Sequence, residues 1–317
     1  MRLILMTLVV LTSYQVFAQS SSTKLDSSSS MNTVPAVDQS TIELDRILGD
    51  KKIEDPNVIT DQKLKADEGS RSRYSMKFNL SYAGPGITDL GNKDQPNPDH
   101  VLNTLQTKLN GLIGGRYRID GVSAINAGTG VTAIHPLNGW DRTDVSTPFL
   151  SYDRSVRVYD VQMRHTFEIA DVTTPEYIAT GEFASTYYDL DLVKQIGMSR
   201  FSAGLEFKFD YFFYGRNYDA TAKSDAGAAR YYASFYPNLK FKVNDNLNIN
   251  SYLNIMYYNQ RALSDKSVLA RRTVAQRLGI GYSFAKDIYL NPYITWFPDS
   301  VSSDTTTFNL SAVFSIL

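Results

Sequence analysis

From Phe201 to Phe213 the chain switches between two kinds of residue at every step. Phe201, Ala203, Leu205, Phe207, Phe209, Tyr211 and Phe213 share one parity, while Ser202, Gly204, Glu206, Lys208 and Asp210 share the other. Successive side chains of an extended strand point to opposite faces, so this stretch has one apolar face and one charged face. A period of two excludes a helix here. It leaves two architectures open: a half-buried strand of a soluble sandwich, or a stave of a membrane barrel.

The recurrence of the pattern separates these two. Residues 74–82, 109–119, 122–134, 157–169, 177–188, 231–243, 247–257, 274–284, 288–297 and 305–317 carry it as well, giving eleven segments with the first. Each runs about ten residues or more, near the roughly 9–11 that a tilted strand needs to cross a bilayer. Sandwich strands are usually about 5–6 residues long. An even strand number puts both ends of a barrel on one side. The connections also alternate: Asp120-Gly121, Asn244 to Asn246 and Lys286-Asp287 are short, whereas 84–104, 215–227 and 298–304 are long. Eleven segments break that alternation. A further strand at 147–152, followed by a tight turn at 153–155, restores it. The expectation is an all-β, closed antiparallel transmembrane β-barrel of about twelve strands, with ten or fourteen as fallbacks.

What precedes the barrel fits export. Arg2 followed by the apolar run Leu3 to Leu11, with Val16-Phe17-Ala18 at the end, reads as a cleaved signal peptide over residues 1–18. The 317 residues contain no cysteine, so acylation of a cysteine and disulfides are both excluded. Residues 19–72 read as a periplasmic extension, serine-rich over 19–36. Within it Ser40-Thr41-Ile42-Glu43 forms a capping box ahead of Leu44, Ile47 and Leu48, a short amphipathic helix over 40–48. A second, weaker helix is expected over 60–68. The helix at 40–48 could plug a pore, bind a periplasmic partner, or merely fray. Residues 73–317 form the barrel.

On the export signal, the strand pattern and the last strand, the chain resembles the bacterial outer-membrane β-barrel class. Phe308, Leu310, Ala312, Phe314 and Ile316 share one parity, similar to the C-terminal signal that barrel assembly machinery reads in that class. The final Leu317 departs from it, being neither aromatic nor on the apolar parity. The resemblance implies a multi-pass location in the outer membrane of a Gram-negative cell, with lipid and the assembly machinery as partners. It does not carry a function with it. Tyrosines near strand ends, among them Tyr74, Tyr82, Tyr211, Tyr214, Tyr257, Tyr258 and Tyr289, are expected in the interfacial belts.

The inward parity carries Lys77, Arg116, Arg118, Arg164, Lys208, Lys240, Lys242 and Arg277, together with Asp160, Glu168, Glu182, Glu206 and Asp210. Eight bases against five acids suggest a polar channel with mild anion preference. The same residues could instead make a filled, salt-bridged interior. The functional expectation is a narrow or plugged pore for small solutes. The alternatives are a non-conducting scaffold or surface-binding barrel, and a barrel hydrolase acting on lipid or peptide.

Catalysis has little local support. There is no Gly-x-Ser-x-Gly, and His100, His135 and His165 show no triad spacing. The loop with Asp94, Asn97 and Asp99 lacks the glycine and terminal glutamate of an EF-hand. No enzyme activity, cofactor or metal is expected. A net charge of -1 gives no electrostatic basis for nucleic-acid binding.

Overall fold

A strand buried in hydrocarbon must send its backbone hydrogen bonds to another strand on both sides, and this chain does so by closing a ring. The computed structural model describes residues 59–70, 72–98, 105–137, 139–225, 227–285 and 287–316. The expected signal peptide, the serine-rich stretch, the helix at 40–48, and Asp99 and His100 lie outside the described residues.

Twelve staves form the ring: β1 (Tyr74–Gly86), β2 (Lys108–Arg118), β3 (Ser123–Ile134), β4 (Arg142–Val158), β5 (Val161–Asp171), β6 (Glu182–Gln195), β7 (Phe201–Tyr214), β8 (Ala229–Lys242), β9 (Leu247–Gln260), β10 (Ala275–Ala285), β11 (Ile288–Trp296) and β12 (Thr307–Ile316). Each pairs antiparallel with its sequence neighbours. The first and last close the ring, with Met76 opposite Ile316 and Tyr82 opposite Leu310. A two-residue piece, Ala270–Arg271, adds to the edge of β9, and Asp94–Gln95 pairs with Leu105–Gln106 outside the ring. The chain is a closed, twelve-stranded antiparallel barrel of the outer-membrane type.

Alternation sorts the two faces. In β5, Gln162, Arg164 and Thr166 are buried, while Phe167 and Ile169 are about half exposed. Apolar side chains meet across strands on the outside: Phe207 lies 5.0 Å from Phe235 and Phe201 lies 4.9 Å from Phe241, centroid to centroid. The short turns are built by side chains. Asp120 Oδ1 accepts from the amides of Val122 and Ser123 at 2.8 and 2.7 Å. Asn244 Oδ1 does the same for Asn246 and Leu247 at 2.9 and 2.8 Å.

The structure moves several boundaries. The segment expected at 147–152 is part of β4, which runs 17 residues through Asp153 to Ser155 without turning. The turn falls at Tyr159-Asp160, both with positive φ (48° and 65°). That is the two-residue hairpin geometry whose twist matches the strands. Residues 175–179 are a short helix, α2 (Pro175–Ala179), and the strand expected at 177–188 is displaced to Glu182–Gln195. Tyr289 and Tyr258 are not belt residues: they are 3% and 4% exposed. For Tyr289, Gly281 on the neighbouring strand leaves the room, since a Cβ there would lie 2.0 Å from the Tyr289 hydroxyl.

Leu205 sits mid-strand on the outer parity of β7. Leu205→Arg should cost about 2–4 kcal/mol for a charge at mid-depth and block assembly. The check is loss of the heat-modifiable band of folded barrel on unheated gels.

Candidate functional site: the barrel interior

The ring leaves a polar interior, and a second piece of the same chain enters it. Helix α1 (Gln62–Glu68), in the position expected for the weaker helix at 60–68, lies across the lumen at the end of the short turns. Asp61 caps it, with Oδ1 accepting from the Leu64 amide at 3.0 Å. Gly69 ends it at φ 71°, where a Cβ would lie 2.7 Å from Arg116 Nη1 and 2.8 Å from Ser315 Oγ. Only glycine combines that backbone with that closeness.

Both ends of the segment are fastened to the wall. At the start, Gln162 Oε1 accepts from the amides of Thr60 and Asp61 at 2.6 and 2.8 Å. Gln62 Nε2 donates to the carbonyl of Asp245, in the turn between β8 and β9, at 2.6 Å. At the far end, Arg118 donates to the carbonyls of Glu68 and Ser70 at 3.2 and 2.9 Å. Ion pairs fill the space between. Lys240 Nζ is 2.8 Å from Asp61 Oδ2, Lys63 Nζ is 2.8 Å from Glu206 and 3.4 Å from Asp191, and Lys77 is 3.8 Å from Asp67. The apolar contribution is small: Leu64, Ile59 and Val193 form one buried cluster.

Burial alone would raise the proton affinity of the Asp61 carboxyl. The charge and hydrogen bond of Lys240 outweigh it, so the group is held below its usual 3.8.

Beyond α1 lies a cavity of about 620 Å³. Its lining includes Lys77, Arg164, Glu168, Glu206, Lys208, Asp210 and Arg277 from the inward set. Arg116 and Lys240 are buried nearer the short turns, and Arg118 pairs with Glu68 there. Glu182 is buried at the start of β6. Two of the expected lumen residues are elsewhere. Asp160 is in a turn with its side chain 80% exposed, paired to Arg157. Lys242, at the end of β8, is 57% exposed and pairs with Asp245.

Three wall acids escaped the sequence reading. Asp153 falls in the expected turn at 153–155, and Asp189 and Asp191 lie past the expected strand end at 188. The alternation Tyr188, Leu190, Leu192 against Asp189, Asp191 was nevertheless there to be read. With these and Asp67 of α1, seven acids and five bases line the cavity; on the wall as a whole, Glu182 and the bases Arg116, Arg118 and Lys240 bring the count to seven of each, which removes the expected excess of base.

Asp153 is the hub of the cationic side. It is 3% exposed and accepts from Asn126 Nδ2 at 3.1 Å and Thr166 Oγ1 at 2.9 Å. Arg164 lies 3.2 Å and Lys77 3.9 Å away. At the opposite end the long connections are tied together. Arg261 donates to the carbonyls of Thr180 and Arg216 at 2.6 and 2.5 Å and stacks 3.8 Å over the Tyr214 ring. Arg216 pairs with Asp225 at 2.5 Å. His135 and Asp141, 2.7 Å apart, pair in the connection between β3 and β4. His165 bonds the Tyr188 hydroxyl at 2.9 Å.

No protein-family model matches the chain, and no curated protein sequence matches it. Among solved structures, it is similar to an outer membrane channel from Pseudomonas putida, at 9% identity and TM-score 0.49, over 79% of this chain and 97% of that one. It is also similar to the KdgM porin in complex with disordered oligogalacturonate, at 11% identity and TM-score 0.40, over 77% and 98%. The NanC porin matches at 7% identity and TM-score 0.40, over 77% and 98%.

Asp153→Ala leaves Arg164 and Lys77 without their shared partner. It should destabilise the barrel by about 3–5 kcal/mol, as breaking a buried pair does. Urea titration of folded barrel, followed by gel mobility, would register this as an earlier midpoint.

Proposed function

We propose that this protein is an outer-membrane pore for small solutes, kept shut by its own residues 59–70. The observation that carries the reading is the position of α1. It crosses the lumen at one end, bonded to wall residues from β1, β2, β5, β6, β7 and β8, with the 620 Å³ cavity on its other side. A barrel of about twelve strands encloses a narrow lumen, so one helical turn or two across it is enough to obstruct flow. Among the wall groups named above, acids and bases balance at seven each, so neither sign of ion is favoured and the anion preference expected from the wall sequence is set aside.

The apolar outer face calls for outer-membrane lipid around it, and assembly machinery that recognises the last strand is the route that such a face implies. A periplasmic partner at 40–48 is compatible with α1 entering from the short-turn end. The scaffold reading differs in one respect: it needs no exit of α1 from the lumen. Nothing in the pairing of His135 and Asp141 favours the hydrolase reading.

Single-channel recording in planar bilayers separates pore from scaffold. The intact chain should show small, infrequent openings. A chain beginning at Ser72, or the full chain with Leu64→Asp, should conduct several-fold more. Silence from all three would favour the scaffold. The seat should also respond to acid. Because the Asp61 value is lowered on seating, its contribution is fully present above 3.8 and fades as the pH drops through the depressed value. Conductance of the intact chain should therefore rise below about pH 4, and in Asp61→Asn it should be high already at neutral pH.

A further inference from the structure

We propose that Asp189, Asp191 and Glu206 form a site for a hard divalent cation of calcium size, which Lys63 fills with its ammonium while α1 is seated. This rests on the reading of α1 as a plug. Neighbouring strands β6 and β7 bring the three carboxylates together, and one oxygen from each lies within 4.8 Å of the others. That spread suits an ion with bonds of about 2.3–2.6 Å to oxygen better than magnesium, which needs about 2.0–2.1 Å and strict octahedral order. All three residues are more than nine-tenths buried: 7%, 5% and 6% exposed. Carboxylate oxygens without nitrogen or sulfur select this class of metal.

Two observations point to a ligand and not merely to a cluster of acids. A cation already sits on the group, carried there by the chain itself: Lys63 Nζ at 2.8 Å from Glu206 and 3.4 Å from Asp191. It also serves the site incompletely. Asp189 Oδ2 accepts from the Tyr187 hydroxyl at 2.9 Å, but Asp189 Oδ1 is buried and accepts no hydrogen bond. An ammonium has three donors in a fixed tetrahedral spread. A metal that takes six to eight oxygens can engage the remaining one.

Charge gives the valence. When α1 leaves, Lys208, 2.6 Å from Glu206, is the ammonium that stays with the three carboxylates. The three carboxylates and that one ammonium sum to −2, which a dication balances. Seating of α1 and occupancy by the metal then exclude each other, and each shifts the other's equilibrium.

The test uses Ca²⁺ itself, by calorimetry on the refolded full-length protein, with folding of every variant checked by heat-modifiable mobility. The wild type should bind weakly. Lys63→Gln, which alters α1 and not the barrel wall, should bind about tenfold more tightly or better, because the tax of the competing seat is removed. Adding Asp191→Asn to Lys63→Gln should abolish binding, with Glu206→Gln as the substitute if that barrel fails to fold. Affinity unchanged by Lys63→Gln, or binding that survives loss of the carboxylates, would overturn the site. Conductance separates the two readings. If Ca²⁺ binds Lys63→Gln but never opens the wild type, the site stands and the plug falls. If Lys63→Gln conducts more yet binds no Ca²⁺, the plug stands and the site falls.

Discussion

A peptide group inside a bilayer has no water to turn to, and the pairing of β1 with β12 is where this chain meets that demand. Without it two edges, each about ten residues long, would face hydrocarbon with their amides and carbonyls unpaired, at several kcal/mol per group. With it, every stave has two neighbours, and everything else about the molecule follows from the closure. Once a ring is closed, alternation stops being a matter of core and surface. One parity meets lipid, the other is forced into a lumen. Residues such as Phe167 and Ile280, 51% exposed, would be out of place on a water-soluble protein of this size. Around a barrel they form the required face.

The lumen then has its own difficulty. Charges crowded behind a wall of backbone are partly desolvated and must find partners. The wall supplies some of them, as Asp153 does for Arg164. It does not supply all. Lys240 and Arg118 sit near the short turns, and their acids come from Asp61 and Glu68, while Lys77 is shared between Asp67 and the wall's Asp153. The traffic runs the other way at Lys63, which brings a base to wall acids. Wall and segment are thus complementary halves of one ionic pattern. This explains why α1 can be seven residues long and still have a defined place, when a helix of that length does not hold together by itself.

How far this could be read from the chain depended on which force was in charge. Strand number, the outer face and the position of the turns at Asp120-Gly121 and Asn244 to Asn246 are local matters: period, strand length, and side chains that close their own turns. They were legible. The end of β4 was not, because the turn at Tyr159-Asp160 has no glycine or asparagine to announce it, and Asp153-Arg154-Ser155 looks more like a turn than a strand. Tertiary pairing decided it. The same error hid Asp153, and stopping one strand at Tyr188 hid Asp189 and Asp191. Missing three inward acids was enough to make a balanced lumen look basic. Tyr289 was misread for a related reason. A tyrosine near a strand end reads as a belt residue unless one knows that Gly281 across the ladder has left it room inside.

The chemistry of the seat bears on how it can work. An apolar plug of the same size would be held by buried surface, and among the described residues the wall offers α1 little of it. Leu64 and Ile59 meet Val193 and little else. The rest is ion pairs and charge-assisted hydrogen bonds, and buried pairs of this kind roughly offset the solvation that they give up. Their sum is specific in direction but small in net size. Each pair lost to a proton or a competing ion shifts the balance by an appreciable fraction of the whole. At the other end Arg261 is bonded to the backbone carbonyls of Thr180 and Arg216, which cannot be titrated, and Asp225 joins Arg216 there as an ion pair. One mouth of the barrel is therefore held partly by fixed dipoles and the other mainly by exchangeable charge, and under the proposed pore reading it is the second that a change in solution would open.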